Sequence, residues 1–259
     1  MTTLLKVNGL KKYFGQGTQR RLVLDDVNFD LDAGERLGIV GRSGCGKSTL
    51  VKLITRLLDA DDGVIVFEGK DITRASGDEL RLTYRRMQMI FQSPDDSFNP
   101  RRTLGWSIGE PLRNWRMPNV EARVEELLTA VELPKAFASR YPHEVSGGQC
   151  QRAAIARAIA LEPALLICDE ATSALDVEVQ AQVIELLRRL SVEKGIALLF
   201  ITHDLALLPS IAERMLVMHD GRIVESGAVD EVIERPRSEW TRELLAANVF
   251  STRRLIDEN

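Results

Sequence analysis

The sequence predicts an α/β fold, a mostly parallel sheet covered by helices, and two observations carry that prediction. A glycine-rich segment, Gly41-Arg42-Ser43-Gly44-Cys45-Gly46-Lys47-Ser48-Thr49, lies between an apolar strand-like run, Arg36 to Val40, and a helix-compatible run, Leu50 to Ile54. Further on, an apolar run from Leu165 to Cys168 ends in Asp169 and Glu170. A helical stripe follows (Val179, Val183, Leu186, Leu187, Leu190), then a second apolar run, Ala197 to Thr202. Strand, helix and strand in that order make a parallel pair with a covering helix.

The remaining elements follow along the chain. Leu4 to Leu31 is strand-like, with Val27, Phe29 and Leu31 alternating with Asn28, Asp30 and Asp32 before a turn at Ala33-Gly34. Val64 to Phe67 is a further extended segment, and together these fit a small antiparallel sheet beside the glycine-rich loop. From Ser93 to Glu144 the prolines at 94, 100, 111, 118, 134 and 142 break up otherwise helical sequence, which marks an inserted lobe. Within it Val120, Val124, Leu127, Leu128 and Val131 predict a helix over 120–132 with one buried face. A helix is expected after Gly148, through Arg152, Ile155, Ile159 and Leu161, stopped by Pro163. Gly195 is placed to cap the helix before the strand at Ala197. Met215 to Met218 and Arg222 to Glu225 are joined by Asp220-Gly221, a tight-hairpin signal. The polar stretch Ser251 to Asn259 is expected to fray.

Composition narrows the classes. The 259 residues are 44% hydrophobic, enough for one large domain or a core with a smaller lobe. A net charge of −4 and a pI near 5.6 argue against a general nucleic-acid binder, which concentrates positive charge to neutralise phosphates. No stretch approaches the ~18 uninterrupted apolar residues of a spanning helix, and Met1 to Lys6 has no signal-peptide profile. A cytoplasmic location is expected. Cys45, Cys150 and Cys168 are too scattered for a disulfide framework or a C-x-x-C metal site, so reduced thiols are expected.

The chemistry begins at the glycine-rich loop. Its backbone N–H groups can converge on phosphate oxygens, Lys47 adds positive charge at the outer phosphates, and the Ser48 hydroxyl can ligate Mg²⁺. The segment therefore implies a nucleoside triphosphate. Hydrolysis needs a metal held against the phosphates and a base that orients water; Asp169 suits the first role and Glu170 the second. His203, in Ile201-Thr202-His203-Asp204, follows a strand at the sheet edge where ligands bind in open α/β folds, and an imidazole there can hydrogen-bond a γ-phosphate. Ser146, Gly147 and Gly148 precede a helix whose amides and dipole can bind an anion.

Taken together these residues resemble the nucleotide-binding subunits of ATP-binding cassette (ABC) transporters, over nearly the whole chain. Gly41 to Thr49 looks like the Walker A loop and Leu165 to Glu170 like the Walker B strand. Gln92 in Ile90-Phe91-Gln92 resembles the Q-loop, Ser173-Ala174-Leu175-Asp176 the D-loop, His203 the switch histidine, and Tyr13 the aromatic that stacks on adenine. Val145-Ser146-Gly147-Gly148-Gln149 is similar to the signature LSGGQ, with Val145 in place of leucine and Cys150 following where a polar residue is common. The resemblance implies a P-loop NTPase (RecA-like) core over 1–92 and 150–230 with an N-terminal antiparallel β subdomain. It also implies an inserted α-helical signature subdomain over 93–149 and a C-terminal helical tail over 231–259. It implies ATP and Mg²⁺ as cofactors, Ser48, Gln92 and Asp169 as metal ligands, and Glu170, His203 and Gln92 as the hydrolytic set. Tyr13, the loop from Gly41 to Thr49, Ser146 to Gln149 and Asp176 would hold nucleotide.

The family works head to tail, with each ATP sandwiched between one Walker A loop and the opposite signature. The implied partners are a second ATPase subunit, identical or paralogous, two membrane permeases, and indirectly an extracytoplasmic substrate-binding protein, at the cytoplasmic face of the inner membrane. Nucleic acid is not among them. A short coupling helix of a permease is expected to dock near Gln92 to Arg102. Ser93 to Arg101, Arg235-Pro236 and Trp240 to Leu245 resemble segments of the dipeptide, oligopeptide and nickel importers, and the short ending leans towards a nickel or metal-chelate cargo, with small peptides next. The alternatives are a soluble ATPase of repair or cluster assembly and a non-catalytic ATP-binding scaffold.

Overall fold

The computed structural model describes residues 2–15, 17, 20–92 and 97–247. Ser93 to Asp96, part of the importer-like stretch, and the expected fraying segment Ser251 to Asn259 lie outside the described residues. The chain divides into two compact units, Met1–Thr83 with Ala197–Asn259, and Tyr84–Ile196.

In the first unit β1 (Thr3–Phe14) and β2 (Arg21–Asp32) run antiparallel, and β4 (Asp62–Phe67) pairs with the other edge of β1 and carries the short β5 (Lys70–Asp71). The predicted alternation is what builds β2: Leu24, Val27, Phe29 and Leu31 are buried, while Asn28 and Asp30 face solvent. A second sheet centres on β3 (Arg36–Val40), parallel to β8 (Ala197–Thr202) on one side and β9 (Arg214–His219) on the other. Every residue of β8 is buried, as a strand covered on both faces requires. β10 (Arg222–Ala228) returns antiparallel on β9 through Asp220-Gly221, both at positive φ (43° and 76°), the backbone a two-residue hairpin needs. After β3 comes α1 (Lys47–Ile54), which buries Leu50, Val51, Leu53 and Ile54. The short helices α7 (Leu208–Ile211) and α8 (Val229–Glu234) and a further helix, α9 (239–247), also lie in this unit.

Helix α2 (Gly77–Arg86) carries the chain into the second unit, where β6 (Met87–Ile90) is parallel to β7 (Leu165–Asp169). Four helices accompany them: α3 (Leu104–Asn114), α4 (Val120–Ala130), α5 (Gly147–Ala158) and α6 (Val177–Lys194). The predicted faces are observed. Val124, Leu127 and Leu128 are buried from α4 and Val131 just after it, and Val183, Leu186, Leu187 and Leu190 from α6, while Val120 and Val179, which open the two stripes, are half-buried. Gly195 caps α6 in the left-handed conformation at φ 63°.

Two local expectations change. Helix α5 ends at Ala158, and Ile159 to Leu161 form a turn rather than a last helical turn, with Glu162 at φ 52° redirecting the chain before Pro163. Pro111 does not break its helix, since α3 passes through it to Asn114. A proline removes only its own N–H from the ladder. The helix resumes with the Trp115 amide donating to the Pro111 carbonyl (3.1 Å), and it is held by Leu104, Ile108 and Leu112, all buried.

The close packing of β3 is testable at Gly38. A Cβ there would lie 2.6 Å from Leu208 Cδ2 and 3.4 Å from Ala212 Cβ. Gly38→Ala is expected to destabilise by about 1–3 kcal/mol, the usual cost of overpacking, read as a lower midpoint in urea unfolding at unchanged slope.

Candidate functional site

In the first unit the turn from β3 to α1 is a cradle with a cation inside it. Lys47 is only 5% exposed, and its Nζ donates to the Gly41 carbonyl (2.6 Å) and the Arg42 carbonyl (3.2 Å). An ammonium has three donors, so the pose leaves one for a phosphate oxygen. The loop cannot carry side chains at two places. A Cβ at Gly41 would fall 2.4 Å from the Met218 carbonyl oxygen, and Gly46, at φ 111°, abuts Leu24. Gly46 is also the N-cap of α1, where no side chain caps the helix and no acidic residue occupies the first turn. The amides of that turn and the positive end of the helix dipole are therefore open to an anion. Ser43, Gly44 and Ser48 are exposed, Thr49 is half-buried, and Cys45 is buried in the loop, where desolvation pushes its thiol pKa up. These features fit a triphosphate.

Two other predicted residues lie in this unit. Tyr13, near the end of β1, is half-buried, its amide donates to Asp61 Oδ2 (2.8 Å), and the Arg20 guanidinium sits 4.0 Å over its ring. His203 is exposed directly after β8, in a turn that the Asp204 amide fastens to Thr202 Oγ1 (3.0 Å).

The second unit holds the acidic pair, Gln92, Asp176 and the signature. Asp169 ends β7 and Glu170 follows it, both half-buried. Glu170 has φ 50°, an uncommon backbone for a side-chain-bearing residue. Its carbonyl accepts from the Ser173 amide (3.1 Å) and the Ser173 hydroxyl (3.0 Å), and Ser173 Oγ in turn accepts from Gln92 Nε2 (3.3 Å). The structure thus joins Gln92 to the backbone of Glu170 through Ser173. Asp176 is the N-cap of α6, accepting from the Val179 amide at 3.0 Å.

Ser146 begins α5 with a capping box: its hydroxyl accepts from the Gln149 amide (3.3 Å), and Gln149 Oε1 accepts from the Ser146 amide (3.0 Å). The box leaves the amides of Gly147 and Gly148 at the first two helical positions for an outside anion. A Cβ on Gly148 would meet Val179 Cγ1 at 2.4 Å, so the signature glycine also lets α5 lie against α6. Behind the motif, Glu132 binds Arg152 of α5 (2.5 Å) and Arg189 of α6 (2.7 Å). Those two guanidinium contacts, Arg152 first, hold the Glu132 carboxyl below the usual carboxylate range. Cys150 is fully buried in the helix, and all three cysteines are buried without a disulfide.

A glycine-cradled buried lysine opening a helix, an acidic pair ending an apolar strand, and a capped glycine signature are together the features of a phosphate-loop ATPase. Comparison with known proteins agrees. Residues 24–173 match the family model described as ABC transporter. The oligopeptide transport ATP-binding protein OppF of Salmonella typhimurium is 47% identical over 241 residues, covering 92% of this chain and 72% of that one. OppF of Bacillus subtilis is 45% identical over 249 residues, covering 94% and 82%. Among solved structures, a dimeric post-hydrolysis state of the ATP-binding cassette MJ0796 bound to ADP and Pi superposes with a TM-score of 0.78 at 29% identity, over 87% of this chain and 99% of that one. CbiO1 from Clostridium perfringens, part of a cbiONQ transporter complex, reaches 0.83 at 28%, over 91% and 92%. The chain belongs to the ABC transporter family, as an ATP-binding, ATP-hydrolysing subunit whose relatives include oligopeptide transport ATP-binding proteins.

Sequence reasoning missed the Arg20 guanidinium on Tyr13, the Ser173 bridge and the left-handed Glu170. Only the bridge had a local signal, a serine three residues after the acid. The capping role of Asp176 gives a test. Asp176→Ala is expected to cost about 1 kcal/mol and Asp176→Asn almost nothing, measured as the difference in thermal unfolding of the two variants.

Proposed function

We propose that this chain is the ATP-hydrolysing subunit of a peptide importer, working with Mg²⁺ at the cytoplasmic face of the inner membrane. The observation that carries the reading is the pairing of an open phosphate cradle around Lys47 with a second anion-accepting helix start at Ser146 to Gly148. One chain with both features can close on a second copy or paralogue, each signature meeting the other's nucleotide.

The roles follow residue by residue. Lys47 and the amides of Gly41 to Thr49 bind the phosphates, and Tyr13 supports the base. Ser48, Asp169 and Gln92 are the residues that would hold Mg²⁺, which would neutralise charge on the phosphates. Glu170 orients the attacking water as base, and His203 hydrogen-bonds the terminal phosphate. Ser146, Gly147, Gly148 and Gln149 bind the partner's nucleotide, and Asp176 stands near that seam. The Gln92–Ser173–Glu170 connection supports the idea that metal ligand and base move together.

The peptide-import names of the relatives favour a peptide cargo over nickel. Nothing supports a soluble repair or cluster-assembly role. No helix among the described residues is long and apolar enough to cross a membrane. A docking place for them is supported by the surface of α3. Arg102 and Arg113 lie 4.7 and 4.9 Å from the Trp106 ring, and neither pairs with a carboxylate among the described residues.

Two measurements test the reading. Glu170→Gln is expected to keep nucleotide binding while slowing phosphate release by roughly 10² to 10⁴, the range for loss of a general base; turnover at the parent rate rejects the assignment. Ser146→Arg is expected to bind a fluorescent ATP analogue normally yet remain monomeric in size-exclusion chromatography with ATP, where the Glu170→Gln chain dimerises. A dimer in that variant counts against the signature as clamp.

A further inference from the structure

Helix α9 has no part in the roles assigned so far, yet it is firmly seated beside the phosphate loop. The amides of Arg237 and Ser238, just before it, donate to the two oxygens of Glu225 on β10 (2.8 and 3.0 Å). The Trp240 ring stacks on His219 at the end of β9, with centroids 3.6 Å apart and planes within 17°. Thr241 is fully buried and Leu244 nearly so. From this seat Glu243 reaches Arg42 of the phosphate loop, Oε2 to guanidinium, at 3.1 Å.

Arg42 is a junction in that loop. Its carbonyl accepts from Lys47 Nζ (3.2 Å) and from the Cys45 amide (3.3 Å), while its side chain is held by Glu243. The hairpin turn under Trp240 braces the same loop: the Gly221 amide donates to the Cys45 carbonyl (2.9 Å), and the Met218 carbonyl closes over Gly41. Helix α9 therefore touches the loop directly through Glu243 and indirectly through the turn it stacks upon.

We propose that Glu243 is a positioning residue for ATP binding, which fixes Arg42 and through its carbonyl the pose of Lys47, so that nucleotide affinity depends on the seating of α9. The pair is about half exposed on both sides, 54% and 46%, so its effect is modest and weakens with salt. Two influences oppose one another here. The carboxylate adds negative charge near an anion site, which would weaken binding, while the ordering of Arg42 strengthens it. The junction geometry makes ordering the larger influence, because the loop carbonyl that Arg42 presents also holds the phosphate-binding lysine.

The test uses the full chain and reads both ATP hydrolysis and the affinity of a fluorescent ATP analogue. Glu243→Gln is expected to raise KM and Kd about two- to fivefold, the span of a half-exposed ion pair, with kcat and the unfolding midpoint unchanged. Glu243→Asp recovers part of the loss, and the effect of Glu243→Gln disappears in an Arg42→Ala background, as coupling between the two requires. A lower KM in Glu243→Gln, an unchanged KM, or additive losses in the double variant each overturn the proposal. Lys47→Ala serves as reference. If it abolishes binding while Glu243→Gln changes nothing, only the role of Glu243 falls; if it binds normally, the phosphate-loop reading falls as well.

Discussion

A buried ammonium is the constraint on which the nucleotide-binding unit depends. Desolvating a charge is costly unless it is paired or hydrogen-bonded, and Lys47 meets that condition with the carbonyls of Gly41 and Arg42, six and five residues back along the chain. Those carbonyls can point inward only if the loop doubles over tightly. The tight loop in turn admits no side chain at Gly41 or Gly46, because the Met218 carbonyl and Leu24 already fill that space. One cation thus dictates the glycines, the strand before them, the hairpin turn that backs them and the open start of α1. The same arrangement leaves the first amides of α1 without a side-chain cap, as an anion site requires.

The other unit is organised around capped helix starts rather than a buried charge. Three of its helices start with side-chain caps, Thr103 on α3, Ser146 on α5 and Asp176 on α6, and Glu132 ties α5 and α6 together through Arg152 and Arg189. The spacing at Gly148 lets the two helices approach. The signature segment is ordered by its own contacts, the capping box and the ion pairs behind it. Glu170 is treated similarly, its left-handed backbone kept in place by two hydrogen bonds from Ser173. Strain of this sort persists only where the surroundings over-determine it.

The regular elements were legible because they repeat. Apolar runs flanking the phosphate loop, the stripe of α6 and the Asp220-Gly221 hairpin each announce a backbone hydrogen-bond pattern within a few residues. Helix α3 was hidden by composition. It contains Gly105, Gly109 and Pro111, poor helix residues that read as breaks, yet Gly105 lies against Ala138 and Gly109 against Val120 and Val124, so the small residues serve close packing that no local pattern reveals. Thr103, whose hydroxyl caps the helix, was the available signal.

The sequence alone determined the strands and helix around the phosphate loop, the stripes of α4 and α6, the Asp220-Gly221 hairpin, the acidic pair and the signature, and with them the ABC family, because each of these is a short segment whose chemistry is fixed by neighbours along the chain. Only the tertiary structure decided that Arg20 lies on Tyr13, that Ser173 links Gln92 to Glu170, and that Glu243 grips Arg42 across 201 residues of sequence. Such partners come together when whole elements pack. Local spacing encodes backbone hydrogen bonding and periodic burial; it does not encode which distant side chains the packed elements bring within reach.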